Sequence, residues 1–273
     1  FFKDEMVVGG FILCFGFTTI TYFLSKSKEK KSILFFSIIF LIIPIAIFLT
    51  GERSNFIKSV FLFLAVTFFI DKKNSSLNYK YLILLLFLAI SCFFYLNENL
   101  KDRYSVFFKR VIIVEENKSM MENFENIKYF AHFDTAIKIL NNYPITGVGN
   151  KNFRKECLKT IYFVEKIKFS KHRCSTHPHQ IHFEILSEHG LFGYFLIMYF
   201  IIIFLFKNIR IYLKAKNISH LSNISYIIIF FLPLLPGAGI FSTFNGIIFW
   251  IIFFLIYLHY KKGYLNNNKK ILR

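Results

Sequence analysis

Residues 33–50 read ILFFSIIFLIIPIAIFLT, without one charged side chain. An apolar run of roughly 17–25 residues is long enough to cross the hydrocarbon core of a bilayer as a helix. Six more runs have the same character, at 6–24, 56–70, 81–96, 190–206, 224–235 and 244–259. Those at 56–70 and 224–235 are short, and Pro233 and Pro236 end the second of them early. Hydrophobic residues make up 55% of the chain and Phe supplies 39 of its 273 positions, a composition that excludes an ordinary soluble domain. The expected fold is an all-α polytopic membrane protein with about seven transmembrane helices. Residues 1–96 carry the first four helices, 97–189 form one large, mainly helical outer loop, 190–260 carry the last three, and 261–273 are a basic tail. The chain opens on Phe1 and reaches its first apolar run at once, so it is expected to be the C-terminal piece of a longer protein.

Charge sets the orientation. The net charge is +18, and the lysines and arginines crowd into alternate connectors. One holds Lys26, Lys28, Lys30 and Lys31; the next Lys72, Lys73 and Lys80; the third Lys207, Arg210, Lys214 and Lys216; the tail Lys261, Lys262, Lys269, Lys270 and Arg273. Seven spans put all four on one side, which the positive-inside rule makes the cytoplasm. The long loop then faces the periplasm of a bacterial inner membrane. The basic residues orient the helices and touch anionic lipid headgroups. No basic, aromatic-interleaved module points to nucleic acid.

Within the loop, Phe130, Phe133, Ile137 and Leu140 recur at helical spacing, which predicts an amphipathic helix over about 127–141, ended by Asn142-Tyr143-Pro144. Residues 101–126 are polar and weakly patterned. The turn Ile145-Thr146-Gly147-Val148-Gly149-Asn150 follows; its glycines either let the chain turn or offer N–H groups to an anion. Cys157 and Cys174 lie in the same loop, and an oxidising compartment favours a disulfide between them. Cys14 and Cys92 sit inside apolar runs and read as small packing residues. In Thr176-His177-Pro178-His179-Gln180, Pro178 suits the first turn of a helix capped by Thr176 or His177. That helix would carry His179 and His182 on one face. Histidine exchanges protons near neutrality, so the pair invites a chemical role. Zinc on His177, His179 and His182, with His172 and Cys174 nearby, is the alternative; the spacing fits no common structural site, and no metal or other cofactor is expected.

Four stretches taken together resemble the O-antigen ligase/polymerase superfamily. They are Pro144-Ile145-Thr146-Gly147-Val148-Gly149, Asn152-Phe153-Arg154, Thr176-His177-Pro178-His179-Gln180 and Glu188-His189-Gly190-Leu191-Phe192-Gly193. Thr50-Gly51-Glu52-Arg53-Ser54 resembles the family's T-G-x-R-S turn, and Phe2-Lys3-Asp4-Glu5 with Gly9-Gly10 an outer loop. The resemblance implies a metal-independent, inverting glycosyltransferase. Its donor would be an undecaprenyl-pyrophosphate-linked glycan, and its acceptor lipid A–core in a ligase or another lipid-linked glycan in a polymerase. A transporter of lipid-linked sugar is a further alternative, but it should place ionisable groups inside its spans, where Lys58 is the chief one. His179, with His177 beside it, would act as general base. Gln180 stands where the family has Asn. Arg53 is either an interfacial arginine or, as the resemblance implies, a bidentate ligand of pyrophosphate; Asp4 and Glu5, near the outer interface, either orient it or are simply solvated. The family's second arginine is absent from the expected place, where Lys128, Tyr129 and His132 stand. Arg154 is the first substitute, Lys128 and His132 the next, and Arg103 and Arg110 further candidates.

Overall fold

A computed structural model describes residues 8–69, 79–111, 128–165, 167, 169–233, 235–237, 239–241 and 243–271; of these, 79, 106–111, 128, 243–245 and 262–271 are described by backbone alone. The described residues contain no strand. The helices are α1 (Val8–Lys26), α2 (Lys30–Leu49), α3 (Arg53–Phe69), α4 (Tyr79–Leu96), α5 (Glu98–Val111), α6 (Lys128–Asn142), α7 (Phe153–Glu156), α8 (Ile181–Ala215), α9 (Ile218–Phe230) and α10 (Thr243–Ile271). Each of the seven apolar runs has described residues on a helix, although α9 stops at Phe230, ahead of Pro233. Among the described residues three helices, α1, α2 and α8, are long and apolar enough to cross a membrane. The pair Lys80–Leu96 and Glu98–Ser105, bent by 104°, would make a fourth.

The chain divides into two compact units. The first comprises Phe1–Asp102, Phe204–Phe230 and Ile248–Arg273. In it α9 packs against α1 and α3, and α2 against α1 and α3. Gly51, with φ 73°, ends α2, and its N–H donates to the Phe48 carbonyl at 3.0 Å. Buried α9 carries Ser219, His220, Ser222, Asn223 and Ser225 as well as its aliphatic residues. Large apolar side chains face outward on α4, among them Leu84, Leu85, Phe87 and Leu88, a surface suited to lipid rather than water.

The second unit comprises Arg103–Ile203 and Phe231–Ile247. Its core gathers Ala136, Ile139, Phe153, Cys157 and Tyr162, with Val148, Cys174 and Phe183 packed against them. Cys157 and Cys174 are paired as a disulfide, with Cα atoms 5.3 Å apart. Helix α6 matches the predicted span, but a different face is buried. Ala131, His132, Thr135, Ala136 and Ile139 point inward, while Ile137 is 44% exposed. Small residues allow close approach to the cystine-bearing segment; of the four residues that set the period, Phe133 stacks on Phe183 at 4.6 Å. Helix α5 was not expected in a weakly patterned stretch. Asn97 starts it, accepting the Leu100 N–H at 3.1 Å, and Leu100 and Tyr104 are buried.

Candidate active site

The scaffold of the second unit is a contact between the glycine turn and a break in α8. Gly190 has φ 64° and interrupts the helix. Leu191 and Phe192, just past the break, donate to the carbonyls of Pro144 and Ile145 at 2.8 and 3.2 Å. In return Val148 and Gly149 donate to the carbonyls of Ser187 and Glu188 at 3.1 and 2.8 Å. The backbones approach so closely that a Cβ on Gly147 would strike the Glu188–His189 peptide, and one on Gly190 would strike Ile145. The turn's N–H groups are spent inside the protein: Gly147 donates to Tyr143 at 3.1 Å and Gly149 to Glu188. The structural role of these glycines therefore holds, and anion binding by their N–H groups does not.

Glu188 extends the clasp. Only 1% exposed, it accepts the Lys151 N–H at 2.7 Å and the Phe153 N–H at 3.2 Å, and so caps the short helix α7. Beyond the disulfide, the Arg173 guanidinium donates to the carbonyls of Leu158 and Lys159 at 3.2 and 3.3 Å and lies 5.7 Å from the Phe163 ring. The Arg173 carbonyl in turn accepts from His132 Nδ1 at 2.9 Å, which fixes the His132 proton on Nδ1.

His132 is one member of an imidazole cluster. The His179 ring lies 4.4 Å from His177, 5.2 Å from His132 and 5.5 Å, edge-on, from Tyr129. His179 has φ 60°, a left-handed conformation that costs a residue with a Cβ about 1–2 kcal/mol. Such a conformation persists only where its surroundings enforce it, and it concentrates at functional sites. Here Gly237 donates its N–H to the His179 carbonyl at 2.7 Å. The Thr176 hydroxyl meets His177 Nδ1 at 3.0 Å, and the Ser175 hydroxyl donates to the His177 carbonyl. His177 Nε2 is buried and makes no hydrogen bond of good geometry among the described residues. Burial holds the His177 imidazole below its ordinary value; His132 and Arg154 push the same way, and the Gly237 backbone opposes them in part.

Two expectations about this segment need correction. Pro178 does not open the helix; α8 starts at Ile181, because Gln180 is its cap. The Gln180 side-chain oxygen accepts the N–H groups of His182 and Phe183 at 2.7 and 3.1 Å. His179 and His182 therefore do not share a helical face. The His182 ring bonds Phe231 and Tyr194 instead. No group of three or more His, Cys, Asp or Glu among the described residues is placed to hold a metal ion.

The remaining site candidates are these. Arg154 is exposed and acts on His177 and Glu188 through its charge. Lys128 begins α6, with its side chain outside the described part, as is that of Arg110; Arg103 is exposed. Arg53 belongs to the first unit and is the first residue of α3. Asp4 and Glu5 lie outside the described residues. The acid that neighbours Arg53 is Glu52, 5% exposed, which accepts the Gly9 N–H at 2.7 Å and the Asn55 amide at 2.6 Å. The sequence reading missed Glu52 although it lies inside the T-G-E-R-S turn itself. It also missed Tyr129, Arg173 and Gly237, whose parts depend on long-range contacts that leave no local pattern.

The model of the O-antigen ligase family matches residues 36–198, well over half of the chain. The match includes the Arg53 turn, the glycine turn, the histidine segment and the Gly190 break. No curated protein and no solved structure matches the chain.

Proposed function

The chain belongs to the O-antigen ligase family, and from that premise we propose that it transfers a glycan from undecaprenyl pyrophosphate to an acceptor. Family membership and its apolar helices make it a bacterial membrane enzyme of the ligase or polymerase type that uses lipid-linked glycans. The finer reading is ligation to lipid A–core at the periplasmic face of the inner membrane, with all seven apolar runs in the bilayer. The observation that carries the reaction is His179, strained at φ 60° among His177, His132 and Tyr129.

In this reading His179 takes the proton of the acceptor hydroxyl as that oxygen bonds to the anomeric carbon. The bond from the anomeric carbon to the pyrophosphate oxygen breaks, and undecaprenyl pyrophosphate leaves with the electron pair. The configuration inverts, the proton stays on His179, and no metal takes part. Arg53 supplies a planar, bidentate cation to the leaving pyrophosphate. Arg154 is the first candidate for a second cation, ahead of Lys128 and His132.

A transporter of lipid-linked sugar is the second reading. It is favoured by one observation: Lys58, His220, Asn208 and Asn223 are buried inside the first unit. The surface glycans of a deletion strain separate these readings. Loss of every long chain from lipid A, with full-length chains left on the carrier, supports a ligase. Single repeat units on lipid A mean a polymerase. Carrier-linked glycan trapped on the cytoplasmic side means a transporter, and an unchanged glycan profile sinks all three.

A further inference from the structure

His182 stands three residues beyond His179, yet its two ring nitrogens are committed elsewhere. Nε2 is 2.8 Å from the Phe231 carbonyl, and Nδ1 is 3.1 Å from the Tyr194 hydroxyl. A carbonyl can only accept, so Nε2 carries the proton of the neutral ring and Nδ1 accepts from Tyr194. Phe231 is where the chain leaves α9, and six residues later Gly237 donates to the His179 carbonyl at 2.7 Å. The same segment is pressed close at Gly239, where any Cβ would strike the Glu184 carboxyl. Thus the segment after α9 is tied at Phe231 to His182 and at Gly237 to His179. Beside the His182–Tyr194 pair is a cavity of about 360 Å³, lined also by Gln180, Phe183, Phe231 and Pro233. Phe231 is itself buried, and its ring meets the His182 ring edge-on at 6.0 Å.

We infer that His182 and Tyr194 are positioning residues for His179: they fix the segment whose Gly237 N–H holds the strained His179 backbone. His182 is neither a second base nor a metal ligand. The inference rests on the proposed role of His179 only where glycan transfer is the readout. Residues 231–241 also lie beyond the part of the chain that the family model matches.

The test compares His182→Gln, which keeps a donor for the Phe231 carbonyl, with His182→Phe, which keeps the ring's bulk and loses both hydrogen bonds. Tyr194→Phe, a milder change, removes only the Nδ1 partner. Each full-length protein is purified in nanodiscs; amide exchange at Gly237 and steady-state glycan transfer are measured. Faster exchange in His182→Phe, with kcat lowered about 10- to 100-fold at little change in KM, is expected. His182→Gln should recover most of both, with Tyr194→Phe between the two. A residue needed only for its bulk would give the reverse order, with Phe tolerated and Gln harmful, and that order overturns the inference. So does unchanged Gly237 exchange in His182→Phe. Should the wild-type protein transfer no glycan, the proposed function fails, and Gly237 exchange alone decides the positioning role.

Discussion

Two segments that flank α8 both use left-handed backbone, and they use it differently. In the turn at 144–149 and its partner at the helix break, the left-handed positions are Gly147, Gly149 and Gly190. Glycine adopts that conformation without steric penalty, and the N–H groups of Gly147, Val148 and Gly149 find carbonyl partners. In the segment at 175–180 the left-handed position is His179, a residue with a Cβ, next to a buried His177 whose Nε2 makes no hydrogen bond of good geometry among the described residues. The first region puts its left-handed positions on glycine and locks them with backbone hydrogen bonds, as a scaffold should. The second holds strain on a residue with a side chain, among packed imidazoles, which fits the proposed site.

The sharpest way to break this contrast is to put a side chain into the scaffold. Gly190→Ala and Gly147→Ala should each cost more than about 4 kcal/mol, or prevent folding, because a backbone collision adds to an unfavourable φ. Gly10→Ala is the control, since a Cβ there meets only the Asn55 amide at 3.7 Å. Denaturant unfolding in detergent reads all three. Opening the disulfide with Cys157→Ser/Cys174→Ser, a separation of 17 residues, should cost about 3 kcal/mol.

Strain in the second region predicts a smaller effect of opposite sign. His179→Gly should be more stable than His179→Ala by about 1 kcal/mol, since both lose the ring and only glycine relieves the backbone. Equal stability of the two variants would remove the strain from the account. The smallest expected effect concerns pH. Burial lowers the His177 proton affinity in the fold, so the unfolded chain binds more protons, and stability rises with pH across that interval. Stability should therefore be fully present above the ordinary imidazole value of about 6.5 and fall as the pH drops below it. The fall should be shallower in His177→Gln, and identical pH profiles would mean that His177 does not contribute.

The comparison also shows what the sequence could carry. Helical class was legible because a backbone in lipid must satisfy its own hydrogen bonds, and long apolar runs advertise that. The glycine turn was legible because glycine has few other reasons to recur at that spacing. The buried face of α6 was not. Phe130, Phe133, Ile137 and Leu140 set the period, but Ala131, Thr135, Ala136 and Ile139 fill the core. Where many large apolar side chains face outward, hydrophobicity stops reporting burial, and small residues mark close packing instead. Helix α5 escaped because its Asn cap stands ahead of a polar stretch that gives no periodic signal. His179 was singled out as a residue but misplaced as a structure. Pro178 suggested a helix start, and only the Gln180 side chain, acting as cap, reveals that the helix begins later. Gly237 had no sequence cue to its partner, because that contact spans the chain from 179 to 237.

The central claim is that His179 removes the acceptor's proton, and its most direct test is the turnover rate of His179→Gln. The purified variant would be given an undecaprenyl-pyrophosphate-linked glycan and a lipid A–core acceptor, with the wild-type protein beside it. Glutamine keeps hydrogen-bonding ability but cannot take up the proton, so kcat should fall about 100- to 10,000-fold while donor binding persists. A turnover within about threefold of wild type would contradict the assignment, since the loss of a general base cannot be that small.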